Sequence, residues 1–330
     1  MTAAERAAQA SGSKPLTLGP LRRDQNMLHT LSFHAMGTNM ELGIWAEPQP
    51  PDSLVHDLND VQAEIQRLEQ RLSRFEPASD ISRLNQNAGV WVSVHAETLE
   101  VLHLAARAFV ESEGLFHPAL GAQMEQLGYD RSFDVGLDRA ESVARRTTAP
   151  VPPRLPWTCS AAGQVRLEAG CKIDLGGIAK GWIVEQAAHM LRNRGQQNFV
   201  VNAGGDMVCA RRKGDAPWSI GIADPAQPDV YVLTLDVENA CVATSGTYRR
   251  RWRTGRDVRH HILDPRTGLP ADSDLVSCTV IHPSLVAAEV MAKVFLILGL
   301  EQGRAWMEKV PNRGWAAIRS DGEVTHSWTS

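Results

Sequence analysis

No apolar run in this 330-residue chain approaches the length of a membrane-spanning helix. Cysteine is scarce: five residues, at Cys159, Cys171, Cys209, Cys241 and Cys278, an odd number with no C-x-x-C pair. That spacing argues against a zinc site or a disulfide framework and predicts reduced thiols packed as small apolar groups. Basic excess is also missing. Lysine and arginine total 34 against 38 acidic residues, for a formal net charge of −4, which argues against general nucleic-acid binding but leaves room for a local basic pocket. The N-terminal stretch "MTAAERAAQASGSKPLTLG" has no apolar h-region, so a signal peptide is not expected and a cytoplasmic location is. There is no internal repeat.

What remains is a soluble composition, 43% hydrophobic and 22% charged, in a chain long enough for one large domain or two ordinary ones. Residues 1–28 are polar and patternless and are expected to form a mobile tail, with one domain over 29–330. "LSFHAMGTNMELGIWA" alternates as strands do. Leu54, Val55, Leu58, Val61, Ile65, Leu68 and Leu72 recur at helical spacing. A second helix is expected over about Ala96–Glu113, with Leu99, Leu102, Ala106, Phe109 and Val110 on one side and Gly114 as its stop. "RTTAPVPPRLPW" reads as a surface loop. The centre reads as strand ("QVRLEAGCKID"), loop, helix ("WIVEQAAHMLRNRG") and a glycine-interrupted strand ("NFVVNAGGDMVCA"). Strand signals then dominate, broken by one apolar helix, "SLVAAEVMAKVFLILG". Runs of strands with a few helices predict an α+β fold, with mixed or antiparallel sheets flanked by helices, rather than a doubly wound sheet.

Five stretches carry chemistry. In "DLGGIAKG", glycines between strand and helix let backbone N–H groups and a helix N-terminus face an anion, and Lys180 adds a point charge suited to phosphate. Asp174 is acceptor-only and can fix a hydroxyl or amine. The loop matches neither the Walker pattern nor G-x-G-x-x-G, so a tight turn with a solvated lysine is the competing reading. "VNAGGD" sets Asp206 after a glycine pair, either a close backbone approach to a ligand or a hairpin turn. "VATSGTYRRRW" joins Thr244, Ser245 and Gly246 to three arginines, which suits phosphate recognition and equally a solvated hairpin. In "HHILDPRTG", His260 and His261 would point to opposite faces of a strand, so one is a candidate base or donor and the other packs. The apolar helix holds only Glu289 and Lys293, four apart and hence on one face, and a buried carboxylate there needs a cation.

In this order, with "MGT" (Met36–Thr38), "LSRFEPASDISRLN" (Leu72–Asn85), "FHPALG" (Phe116–Gly121) and "AAEVMAKVFLILG", these motifs resemble the ApbE family of FAD:protein FMN transferases over nearly the whole chain from about Phe33. The resemblance implies a single α+β domain with FAD in a central cleft. FMN would pass from FAD to a Thr or Ser hydroxyl of a target flavoprotein, with magnesium assisting and AMP leaving. It implies that Met36 and Phe75 lie against the flavin or adenine, and that Asp174 and Lys180 contact ribose and phosphates. Ile262 would line the flavin pocket. Phe116, His117, Asp206, Thr244, Ser245 and Gly246 would also border FAD. The Gly177 carbonyl and Glu289 would be magnesium ligands, and His261 and Lys180 would serve catalysis.

The last helix departs from the family pattern, which has aspartate and, four residues on, threonine. Here the pair is Glu289 and Lys293. Lysine has no acceptor and cannot ligate magnesium. Its ammonium is expected where the ion would sit, paired with Glu289, facing the pyrophosphate and taking over part of the ion's catalytic role. His117, where many members have aspartate, is a second departure. Two alternatives to the transferase stay open: a catalytically weak, metal-poor FAD-binding protein that stores, delivers or senses flavin, and an FAD pyrophosphatase giving FMN and AMP. No self-acceptor motif is evident, and a cytoplasmic acceptor is implied.

Overall fold

The computed structural model describes residues 27–46, 52–132, 150–254, 257–311 and 313–328. Residues 1–26 of the expected tail lie outside the described residues; Met27 and Leu28 already belong to a strand. Along the chain come β1 (Met27–Ala35), β2 (Thr38–Ala46), α1 (Asp52–Leu72), α2 (Asp80–Gln86), β3 (Trp91–Ser93), α3 (Ala96–Glu111) and α4 (Gly121–Gln126). β4 (Trp157–Cys159), β5 (Gln164–Leu167), α5 (Ala179–Asn193), β6 (Phe199–Ala203), β7 (Asp206–Ala210), β8 (Trp218–Ala223), β9 (Tyr231–Val237) and β10 (Ala240–Gly246) follow. Then come β11 (Arg251–Thr254), β12 (Asp257–His260), β13 (Leu263–Asp264), β14 (Leu269–Pro270), β15 (Leu275–His282), α6 (Leu285–Leu298), α7 (Leu300–Met307), β16 (Gly314–Arg319) and β17 (Val324–His326).

The frame is an eight-stranded sheet in the order β1-β2-β6-β7-β10-β15-β16-β17, antiparallel throughout. This is the expected α+β class. β3-β5-β4 forms a small separate sheet, and β8-β9, β11-β12 and β13-β14 are two-stranded. α5 and α6 pack against one another, and α6 lies across β10 and β15. The apolar face of α5 explains its place: Ile183, Val184, Ala187, Ala188 and Leu191 are all buried. α6 is buried on nearly every side, including Val294, Phe295, Leu296 and Ile297. Ser284 caps it, its hydroxyl accepting the Ala287 N–H.

Several sequence expectations need correction. Val55 is 53% exposed, while the other six residues of its stripe on α1 are buried. On α3 the buried face is Thr98, Val101, Leu102, Ala105 and Ala108, and Val110 is 70% exposed. That helix is apolar on more than one side, so periodicity fits two stripes and packing decides between them. "NFVVNAGGDMVCA" is two strands, β6 and β7, because Gly204 (φ +64°) and Gly205 (φ +109°) turn the chain in a region open to glycine. The strand expected through Asp174 stops at Leu167. Residues 172–174 are held instead by a side chain and a loop. Asn85 accepts the Ile173 N–H (2.7 Å) and donates to its carbonyl (2.8 Å), and Asp174 donates its N–H to Pro118 O (2.8 Å).

All five cysteines are free thiols, three of them buried. No helix among the described residues is long and apolar enough to cross a membrane.

Candidate active site

A cavity of about 300 Å³ opens between the β1–β2 turn, the segment after α1, the loop before α5, and α6. That volume lies in the range of small-molecule sites. Its lining is mostly apolar, with Met36, Phe75, Phe116, Leu120, Met124 and Leu263 among the walls.

One wall is built on Arg74. Its side chain is 5% exposed, and its Nε donates to Asp174 Oδ2 at 2.7 Å. A second donor reaches Tyr129 O at 2.8 Å. The guanidinium also lies 4.1 Å from the Phe75 ring centre and 4.8 Å from that of Tyr129, cation–π contacts that hold the fork in place. The other oxygen of Asp174 accepts the Gly176 N–H at 2.7 Å. Asp174 thus fixes the glycine loop and is itself neutralised.

The adjoining wall gathers cations. Lys180, in the first turn of α5, contacts the Asp206 carboxylate and lies 3.7 Å from Glu289 Oε1. The second Glu289 oxygen accepts the Gly181 N–H at 2.9 Å, so the N-terminus of α5 holds this buried carboxylate. One turn further along α6, Lys293 donates to the Gly177 carbonyl at 3.2 Å. A Cβ on Gly177 would collide with that ammonium, and one on Gly181 would lie 2.9 Å from Glu289 Oε2. Glycine at both positions leaves room for these side chains to approach the backbone closely. Arg250 also lines the cavity, reaching the Met36 carbonyl at 3.5 Å. Met36 itself is in the left-handed region (φ +55°), and its N–H is anchored on Glu69 at 2.7 Å.

Burial acts on these groups first. It lowers the Lys180 pKa to about 8, against the pull of Glu289, and the charges of Arg250 and Lys293 push the same way. Lys293 is lowered for the same leading reason. Burial, then Arg250 and Lys293, hold His261 well below the usual histidine range, so its ring is neutral near pH 7. His261 borders the cavity, and its buried Nδ1 has no hydrogen-bond partner. His260, its neighbour, does not border the cavity.

The structure thus brings Met36, Phe75, Phe116, His117, Asp174, Gly177, Lys180, His261 and Lys293 to one cavity. Asp206 and Glu289 stand behind it, joined through Lys180. The remaining expectations separate from it. Ile262 is buried in the main core, and the cavity is lined by its neighbours His261 and Leu263 instead. Thr244, Ser245 and Gly246 lie within β10, facing Thr279, Cys278 and Ser277 of β15, and do not line the cavity. Thr244 donates its N–H to Asp206 Oδ1 at 2.8 Å and so orients the partner of Lys180. His117 has both ring nitrogens occupied. Nδ1 accepts the Ala119 N–H (3.1 Å), which leaves Nε2 to donate to Pro152 O (2.9 Å). It fixes loops at the cavity edge.

The sequence does not mark Arg74 as a site residue, nor does it single out Arg250 within its run of three arginines. Arg74 was legible only as a member of the "LSRFEP" motif. The arginine run containing Arg250 splits: Arg249 donates to Gly204 O at 2.7 Å, Arg250 enters the cavity, and Arg251 begins β11.

A cleft with apolar and aromatic walls and a cationic floor suits an aromatic ligand that carries phosphate. The family comparison agrees in kind. A model of the ApbE family matches residues 36–318, and the chain belongs to that family. It is 31% identical over 293 residues to the FAD:protein FMN transferase of Treponema pallidum, covering 84% of this chain and 81% of that protein. The FAD:protein FMN transferase of Vibrio cholerae is 29% identical over 302 residues, covering 89% and 88%. Among solved structures, the ApbE protein of Thermotoga maritima superposes with a TM-score of 0.78 at 25% identity, covering 91% of this chain and 97% of that one. The flavin transferase ApbE of Vibrio cholerae gives 0.73 at 26%, covering 92% and 98%.

The donor set does not suit the magnesium ion that the family resemblance implies. The Gly177 carbonyl already accepts from Lys293, and both Glu289 oxygens face donors. A divalent ion about 4 Å from that ammonium would meet a repulsion on the order of 8 kcal/mol at an effective dielectric of about 20. Among the described residues, no group of three or more His, Cys, Asp or Glu side chains is arranged to hold a metal.

Proposed function

We propose that this protein transfers FMN from FAD to a Thr or Ser hydroxyl of a target flavoprotein, releasing AMP, within one flavin transferase domain that begins at the first strand. The observation that carries this reading is the cavity itself. Lys180, Lys293 and Arg250 line it together with Phe75, Phe116 and Met36, in a chain of the ApbE family. FAD is a substrate whose ring systems want apolar walls and whose pyrophosphate wants fixed cations.

In the reaction the acceptor oxygen bonds to the FMN phosphorus as the bond from that phosphorus to the AMP oxygen breaks. Negative charge builds on the non-bridging oxygens and on the departing AMP phosphate. Lys180 and Lys293 stand where they can oppose both, and their positions are fixed before FAD arrives, by Asp206, Glu289 and Gly177 O. The acceptor hydroxyl must lose its proton. His261 is neutral, borders the cavity and has an unpartnered Nδ1, which makes it the candidate base. The Gly176–Gly177 backbone and Arg74-fixed Asp174 position the adjoining ribose. Five free thiols suit a reducing compartment, consistent with a cytoplasmic acceptor.

Mass spectrometry of a candidate acceptor after incubation with FAD tests the reading. The expected result is a gain of one FMN on a Thr or Ser, with AMP appearing in equal amount. Free FMN and AMP without a modified acceptor would mean hydrolysis instead. FAD bound and unchanged would mean a flavin store or sensor.

A further inference from the structure

We propose that Lys293, with Lys180 and Arg250 beside it, is a built-in cation standing in for a divalent metal ion, so that this chain holds the FAD pyrophosphate without metal. The proposal rests on reading the cavity as the FAD site.

Four observations carry it. Lys293 is not a solvated side chain that swings toward the loop. It leaves a helix buried on nearly every side, and its ammonium meets the Gly177 carbonyl at 3.2 Å. The loop is shaped to receive it, because any side chain at Gly177 would occupy the ammonium's position. The Phe116 ring supplies a further face, 5.6 Å from Nζ to its centre. Glu289, which would be the nearest acidic ligand, is turned to other work, with one oxygen on the Gly181 N–H and the other toward Lys180.

Charge balance points the same way. Arg74 and Asp174 neutralise each other. At the loop Lys180 and Lys293 face Asp206 and Glu289, while Arg250 shares the lining with Glu69 and Glu76. The two ammonium groups at the loop repel a divalent ion there and attract a doubly charged diester. The proximity of the three cations is also felt in their proton affinities, since Arg250 lowers both lysines. A lysine ammonium cannot offer a metal's several coordination directions, so Arg250 and Lys180 must share the phosphate oxygens that one ion would bridge.

The test uses the full chain and manganese as a spin-active probe of divalent binding, read by the EPR signal of free Mn²⁺. The wild type is expected to take up no Mn²⁺ of its own, and Lys293→Thr about one per chain. FAD affinity, read by quenching of flavin fluorescence, is expected to be equal for the wild type in excess EDTA and in excess magnesium. For Lys293→Thr it should fall at least about tenfold in EDTA and recover in magnesium. One Mn²⁺ per wild-type chain overturns the proposal. So does loss of wild-type FAD binding in EDTA, or failure of both chains to take up Mn²⁺. Should Lys293→Thr not fold, Lys293→Ser replaces it, and the two wild-type measurements still decide. Failure of the transferase reading looks different: no FMN reaches an acceptor under any condition, while the Mn²⁺ and affinity results stand unchanged.

Discussion

The two walls of the cavity are built on opposite principles. The Arg74 wall is closed electrically: guanidinium, carboxylate, carbonyl and two aromatic rings satisfy one another. The Lys180–Lys293–Arg250 wall is left open, with three cations close together and Asp206 and Glu289 set behind the cavity. A balanced cluster serves as scaffold and gains little from a ligand. A cluster of neighbouring cations gains from an anion placed among them. The two walls meet at the glycine loop, where Asp174 grips one end and Lys293 the other.

Breaking the closed wall should show first as lost stability. Arg74→Met leaves the Asp174 carboxylate buried without its partner, and the expected loss is about 3–5 kcal/mol in urea unfolding. Arg74→Met combined with Asp174→Asn should recover a large part of that loss, because the uncompensated charge is gone. Breaking the open wall should show in catalysis. Lys180→Met is expected to lower kcat/KM for FAD by about a hundred- to a thousandfold, followed by AMP release, with circular dichroism confirming the fold.

The open wall should also answer to pH. Lys180 in the free protein gives up its proton at about 8 rather than at the usual lysine value. Below that pH the ammonium is present in both free and bound protein, so FAD affinity is flat. Above it, binding must first recover a proton, and affinity should fall by up to about tenfold per pH unit. Flavin fluorescence titrations across pH 7–10 check this, and a flat profile would remove Lys180 from the anion site. The smallest effect is expected at Phe75→Leu, which removes one ring from Arg74 and should cost about 1 kcal/mol in unfolding while leaving the response of FAD affinity to EDTA unaltered.

The family, the α+β class and the glycine loop are all legible in the collinear motifs. Lys293 is legible too, because a charge at that spacing from Glu289 on an otherwise apolar helix demands a polar destination. Arg74 and Arg250 are not. Arg74 meets Asp174 across 100 positions of sequence, and no local rule pairs them. Arg250 is one of three adjacent arginines that sequence alone treats alike, yet the turn into β11 sends each to a different place. Thr244, Ser245 and Gly246 differ in the other direction, lying off the cavity lining. Their composition suits phosphate, but β10 is an interior strand, and its register with β15 commits their backbone to the sheet. The α3 stripe fails because apolar residues surround that helix and only tertiary packing selects a side.

The contact between Lys293 and Gly177 spans 116 positions of sequence, and that between Glu289 and Gly181 spans 108. During synthesis the glycine loop therefore emerges long before the helix that completes it. A domain folds as a unit, so a nascent chain carries the sequence of the Lys180 loop before the second lysine and the Glu289 carboxylate that complete it exist. The loop's grip is consequently assembled late, when α6 docks, and a chain released early would present the loop without it.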